Sequence, residues 1–397
     1  MRKRSFLLVC LILLSVQALA QVNEECTTAV LTGGATADTR PILWKNRDTD
    51  HLSNKVVYVD EKPFAYLGVV DADNPSGRVV WGGLNLAGFA VINSVAYNLP
   101  KKSGEMADLE GMIMADALRT CATVDDFERH IKKNLGSDLG SRANFCAIDA
   151  QGGAAIFEVH NHGYKRLEAA ETPEKYLLNT NFSRSGPANE GAGYLRFDRE
   201  TKLFSAVPTG KLTHRFVLQD AARDLGHALL AFVGRSEWKS LPAGTPHWVH
   251  ANYTINRSST ASSILIHGVK KGEDPRKSTL WVILGEPVCS IAVPFWVEAG
   301  TPPPQVWDGD HAPLAEEAAR VKSILRPLKG RDREEYLDLS KLDNASGTGW
   351  LPGNLELENE LFRQTEALLA RSPAARELTA FEQEAASRVL KRLQEIR

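Results

Sequence analysis

Strong charge of one sign is missing from this chain. Its 397 residues carry 47 Lys and Arg against 49 Asp and Glu, a formal net charge of −2. No Lys/Arg-rich stripe stands out, which excludes the electrostatic footprint that nucleic-acid binding requires. The familiar short catalytic signatures are absent too: there is no G-x-S-x-G, H-E-x-x-H, phosphate-binding G-x-x-x-x-G-K-[ST] or C-x-x-C. Cysteine is scarce, at five residues, too few for a disulfide-stapled scaffold in a chain long enough to bury a sizeable core. Apolar residues at 43% and charged residues at 24% are ordinary globular composition and exclude wholesale disorder.

The longest apolar run is at the start. "MRKRSFLLVCLILLSVQALAQ" has a positive n-region (Arg2, Lys3, Arg4), an apolar h-region from Phe6 to Val16 and an A-x-A site at Ala18-Leu19-Ala20. The run is shorter than the ~20 residues that cross a bilayer. The pattern predicts a signal peptide over 1–20 and an exported protein with no membrane span. Cys10 would leave with the leader. Cys26, Cys121, Cys146 and Cys289 remain, an even number in an oxidising compartment, so two disulfides are the plain reading of the count.

Short runs rich in Val, Ile and aromatics, "KVVYVDE", "AYLGVVD", "RVVWGGLN" and "GFAVINSVAY", predict strands. "MADLEGMIMADALRTC" and "TVDDFERHIKKNL" predict helices, the second opened by a capping box at Thr123 and Asp126. Strands resume with "ANFCAID", "GAAIFEVHNHGYKRLE" and "KYLLNTNF". A helix is expected over "LTHRFVLQDAARDLGHALLAF", then a strand pair in "SSTASSILIHGV" and "STLWVILGEP". This order predicts antiparallel sheet layers covered by helices rather than βαβ alternation. Beyond Pro302-Pro303-Pro304 the chain turns charged and helical. Leu378, Phe381, Ala385, Val389, Leu393 and Ile396 make one apolar face, which reads as a packing face or as a dimerisation surface. "HNH" at His160 to His162 puts two imidazoles on one face of the expected strand. Without further ligands at suitable spacing, no metal is expected there.

Cys26 has two readings, half of a disulfide or a nucleophile. "CTTAVLTGGATADTRPILWKNRDTD" predicts a hairpin that brings Lys45 and Asp48 back beside Cys26. A cation near a thiol favours the thiolate, and a carboxylate can hold an amine or orient a proton donor.

Taken together, these segments resemble the cysteine N-terminal-nucleophile (Ntn) hydrolases of the choloylglycine hydrolase and penicillin acyltransferase branch. The resemblance rests on "CTT" at Cys26 and "KNRD" over Lys45 to Asp48, then on "GLNLAGFAVINS" (83–94), "ANFCAIDAQGGAAIFEV" (143–159), "LNTNF" (178–182), "NRSSTASSILI" and "STLWVILGEPVC". It covers roughly residues 26 to 298, and its strength is the order of the set. It implies a four-layer αββα sandwich of antiparallel sheets over 26–304, a propeptide over 21–25 and a helical extension over 305–397.

The resemblance also implies chemistry: hydrolysis of a linear amide C–N bond through Cys26, without cofactor or metal. A freed α-amine, with pKa about 7.7–8.0, would take the thiol's proton. Asn181 would stabilise the oxyanion, Asp48 would hold the amine, and Lys45 and Arg257 would supply positive charge or bind a small-molecule amide substrate. Asn93 reads equally as a second oxyanion donor or a strand-end turn residue. The chain departs from the pattern at Lys45, where relatives carry Arg, and at Arg47, where an apolar residue is commoner. An acyltransferase and an inactive binding protein on the same scaffold remain alternatives, as does a homo-oligomer. Asn181, Asn252, Asn256 and Asn344 also begin N-x-S/T sequons, so Asn181 reads alternatively as a surface loop residue.

Overall fold

The computed structural model describes residues 25–74, 77–101, 104–232, 234–330 and 333–397. The expected signal peptide and all of the expected propeptide except Glu25 lie outside the described residues.

One sheet has six strands. They are β1 (Glu25–Leu31), β2 (Ile42–Asp48), β10 (Tyr176–Asn179), β12 (Thr260–His267), β13 (Thr279–Leu284) and β14 (Val293–Phe295). They lie side by side in the order β10-β1-β2-β12-β13-β14. The other sheet is a seven-stranded meander in chain order, made of β3 (Asn54–Val59), β4 (Tyr66–Asp71), β5 (Gly82–Asn85), β6 (Ala90–Val95), β7 (Arg142–Ile148), β8 (Ala154–His160) and β9 (Gly163–Glu168). All pairings named for these strands are antiparallel.

The two sheets pack face to face, β1 and β2 lying over β6 and β7. Strand periodicity of two explains the meander's two faces. Ile92, Cys146, Ile148 and Ile156 point to the core shared with the six-stranded sheet. Phe89, Phe145 and Phe157 point the other way, into a second core under α1 (Glu110–Thr120) and α2 (Val124–Asn134). There Phe127 of α2 touches all three rings, with centroids 5.2 to 5.9 Å apart. Thr123 and Asp126 form the expected capping box. Gly83 lets α1 approach closely, since a Cβ there would lie 2.6 Å from Leu118 Cδ1.

The outer face of the six-stranded sheet is covered by α3 (Tyr194–Ser205), by α4 (His214–Phe216) with the π-turn that continues it over Val217–Ala221, and by the C-terminal helices. These include α6 (Pro313–Leu325), α8 (Leu351–Ala370) and α9 (Ala375–Gln394). Between them lie the short helices α5 (Arg235–Trp238) and α7 (Leu339–Leu342) and a two-stranded ribbon of β11 (Trp248–His250) and β15 (Tyr336–Asp338). The architecture is therefore the four-layer αββα sandwich with a helical C-terminal region. The apolar stripe of α9 is a packing face: Leu378, Ala385, Val389, Leu393 and Ile396 are all buried, and α9 lies against β14 and α6.

Three local expectations are corrected. The long helix over 212–232 stops at Ala221. Just beyond, Asp224 accepts a hydrogen bond from the Gly226 N–H and pairs with Arg199, which turns the chain. His160 ends β8 and His162 lies in the turn to β9, so the two imidazoles do not share a strand face; His162 pairs with Glu105 instead. Helix α3, which the apolar pattern did not predict, begins at Tyr194, beyond the loop that follows the Asn181 segment.

Candidate active site

The β1–β2 hairpin forms as expected, with Cys26 opposite Arg47, Glu25 opposite Asp48 and Thr28 opposite Lys45. Strand β10 pairs on the other side of β1 and delivers Asn181 two residues beyond its end. Cys26 is buried, and no disulfide links the described cysteines. The two-disulfide reading is thereby corrected. Cys121, Cys146 and Cys289 are buried thiols. Burial pushes Cys121 up to about 11 and Cys146 up to about 12, and holds Cys289 well above the usual range, so none is a ready nucleophile.

The site is built around the backbone at Cys26. Its N–H donates to Asn181 Oδ1 at 3.0 Å. Arg196 Nη1 donates to the Cys26 carbonyl at 2.7 Å and to Thr27 Oγ1 at 3.0 Å. Arg196 Nη2 donates to Asn181 Oδ1 at 2.7 Å and to Glu25 Oε2 at 2.9 Å. Because a guanidinium only donates, it fixes which way the Asn181 carboxamide faces. The oxygen is presented to the Cys26 nitrogen, and the NH₂ donates to the Val95 carbonyl at 3.1 Å. Asn181 thus holds the cysteine's nitrogen. It is fully buried, which removes the surface-loop reading. Asn256 and Asn344 of the other sequons are buried as well.

Arg257 completes a buried charge cluster. Its Nη1 donates to Glu25 Oε2 at 2.8 Å, and its Nε lies 3.4 Å from Asp48 Oδ2. Burial would raise Glu25, but the charges and hydrogen bonds of Arg257 and Arg196 hold it below its usual value. Asp48 is fully buried, and that desolvation pushes it up to about 6 despite Arg257, Arg196 and a 2.7 Å hydrogen bond from Thr260 Oγ1. Its Oδ2 has no hydrogen-bond partner among the described residues.

Lys45 and Asn93 meet on the inner face. Lys45 Nζ donates to Asn93 Oδ1 at 2.7 Å and to the Trp81 carbonyl at 3.0 Å. An ammonium also only donates, so Asn93 must turn its NH₂ away from Lys45. Asn93 lines a cavity of about 350 Å³ that also has Trp81, Val95, Tyr97, Met106 and Arg142 in its wall. Cys26 connects to that cavity through Asn181 and the Val95 carbonyl. Arg47 pairs with Asp71 and stacks on Trp81 at 4.4 Å.

The structure therefore gathers Cys26, Asp48, Asn181 and Arg257 around one peptide unit and puts Lys45 and Asn93 beside the cavity. Arg196 was missed by sequence reasoning. Its only signal was an arginine in a segment with no apolar face, which does not single it out.

No family model matches this chain, and no curated protein does. Among solved structures, it is similar to penicillin V acylase from Agrobacterium tumefaciens, at 15% identity over 68% of this chain and 85% of that one, with a TM-score of 0.37. A mutant conjugated bile acid hydrolase from Clostridium perfringens is similar at 12% identity over 65% and 89%, with a TM-score of 0.35. The N-acylethanolamine-hydrolyzing acid amidase ortholog of Caenorhabditis elegans is similar at 14% identity over 40% and 71%, with a TM-score of 0.31.

Proposed function

We propose that this chain is the precursor of an exported Ntn-type amidohydrolase that cleaves a linear amide bond of a small molecule through Cys26. One observation carries the reading: buried polar groups converge on the backbone of Cys26 and on the Glu25 side chain before it. A merely structural cysteine has no need of Asn181 on its nitrogen, Arg196 on its carbonyl and two arginines on its predecessor's carboxylate. The ordered motif resemblance to cysteine Ntn hydrolases supports the same reading.

The first step removes the leader after Ala20 and then residues 21–25. The Cys26 thiol adds to the Glu25 carbonyl, the C–N bond breaks, and the nitrogen keeps the thiol's proton as an α-amine. Water hydrolyses the thioester and releases the peptide ending in Glu25. Asp48 Oδ2 and Asn181 Oδ1 then hold the new amine.

In turnover the amine takes the thiol proton, and the thiolate adds to the substrate's amide carbon. The oxyanion is held by the Asn93 NH₂ with backbone N–H groups; one preorganised donor of this kind is typically worth roughly 10²–10³ in rate. The leaving amine collects the proton, and water releases the acid from the thioester. Lys45 orients Asn93. Arg196 and Arg257 keep the site electropositive once Glu25 has gone, which favours the thiolate.

The test is Cys26→Ala in the exported protein, assayed against a panel of N-acyl amides with native iodoacetamide labelling. The expected result is loss of hydrolysis and of labelling with an unchanged melting curve. Hydrolysis that survives in Cys26→Ala would overturn the proposal.

A further inference from the structure

The end of the six-stranded sheet away from Cys26 carries a second cluster of chemistry-bearing side chains. Asp38 lies in the β1–β2 turn, His267 ends β12, and His214 opens α4. One ligand-type atom from each lies within 4.8 Å of the other two. His267 Nε2 is 2.7 Å from Asp38 Oδ2. The His214 ring stacks on that of His267, with centroids 4.5 Å apart.

His214 is the informative member. It is 7% exposed, boxed in by the rings of His267, Trp281 and Phe362. None of the described residues hydrogen-bonds its ring nitrogens. All three residues border a cavity of about 520 Å³. Of the cavity's other charges, Arg40 is spent on Glu273 and Glu366 on Arg215. That leaves the Asp38 carboxylate and, at the wall, Lys277.

We propose that Asp38, His214 and His267 bind a divalent first-row metal ion, zinc by ligand set, with the cavity admitting water as a fourth ligand. Two imidazoles and one carboxylate with an open position suit zinc's four-coordinate preference. Bonds of about 2.0–2.2 Å space tetrahedral ligands ~3.4 Å apart. Here one separation is 2.7 Å and the others lie within 4.8 Å, and Asp38 and His267, which are not fully buried, can adjust. The ion ties together three segments far apart in sequence. It is distinct from the Cys26 site, because five residues of strand separate the Cys26–Arg47 pair from the Leu31–Ile42 pair, roughly 17 Å.

The experiment titrates the full, chelator-stripped chain with Co²⁺ and then displaces it with Zn²⁺. One Co²⁺ per chain with the visible absorption of a four-coordinate ion is expected, unchanged in Cys26→Ala. His214→Ala and Asp38→Asn should each weaken binding by at least about tenfold. Asp38 is exposed in a turn, and the Asp38→Asn chain should keep the parent's circular-dichroism spectrum without metal, so lost binding is not lost folding. Zinc should raise the melting temperature of the parent and not of His214→Ala. The proposal fails if the parent takes up no stoichiometric Co²⁺, if His214→Ala and Asp38→Asn bind as the parent does, or if Cys26→Ala abolishes binding.

Discussion

Two arginines share the Glu25 carboxylate, and one of them also grips the Cys26 carbonyl. If Glu25 leaves as proposed, both guanidiniums lose a counter-charge, and Asp48 loses one of the influences that hold it up. The Asp48 pKa should therefore fall from about 6 on processing, and the mature carboxylate should be ionised at neutral pH. The ionised form holds the α-amine, so, below the limb set by protonation of that amine, activity should decline further as pH drops through a value at or below about 6. Asp48→Asn should remove that acid limb while lowering kcat; a limb that stays in place in Asp48→Asn would assign it to another group. Arg196→Met should slow both peptide removal and turnover by about 10²-fold, because Asn181 loses the donor that orients it. Precursor and mature masses followed over time after expression check the first effect, and kcat the second. An Arg196→Met chain that matures and turns over at the parent's rate would remove Arg196 from the site.

Among the elements, the β1–β2 hairpin was readable because its two strands and Gly/Ala turn are contiguous, so register follows from local pairing. Helix α3 was not readable, for a physical reason. Its buried face is Arg196, Glu200 and Phe204, so the site's charges occupy the stripe where apolar residues normally announce a helix. "LTHRFVLQDAARDLGHALLAF" erred the other way: its composition is helical, but Asp224 and Gly226 close a turn that only the Arg199 partner makes evident. Helix α8 shows what fixes the outer layer. Glu358 and Arg223 form a fully buried pair, Glu358 also accepts from the Ala292 N–H, and Arg223 also donates to the carbonyls of Leu218, Pro287 and Ser290. Glu358→Ala leaves a buried guanidinium uncompensated and should cost about 3–5 kcal/mol in denaturant unfolding. A loss below about 1 kcal/mol would mean water replaces the carboxylate.

At the scale of the molecule, the layered αββα plan followed from strand and helix order plus the motif set; Asp48, Asn181 and Arg257 lie around the Cys26 peptide unit, and Lys45 bonds Asn93 in the wall of the cavity. Sequence could not show which atom of Asn181 faces Cys26, because a distant arginine decides it. Nor could it show that the cysteines stay unpaired, which depends on where four strands and turns finally lie. The C-terminal helices complete the outer layer through α9 and α8 rather than contributing to the site. The account's central claim is that Cys26 becomes a chain terminus whose own amine is the base. Intact-mass analysis and N-terminal sequencing of the active, exported protein test it most directly. The account predicts a chain beginning at Cys26, and a Cys26→Ala chain that still begins at Gln21. Active protein beginning at Gln21 would contradict it.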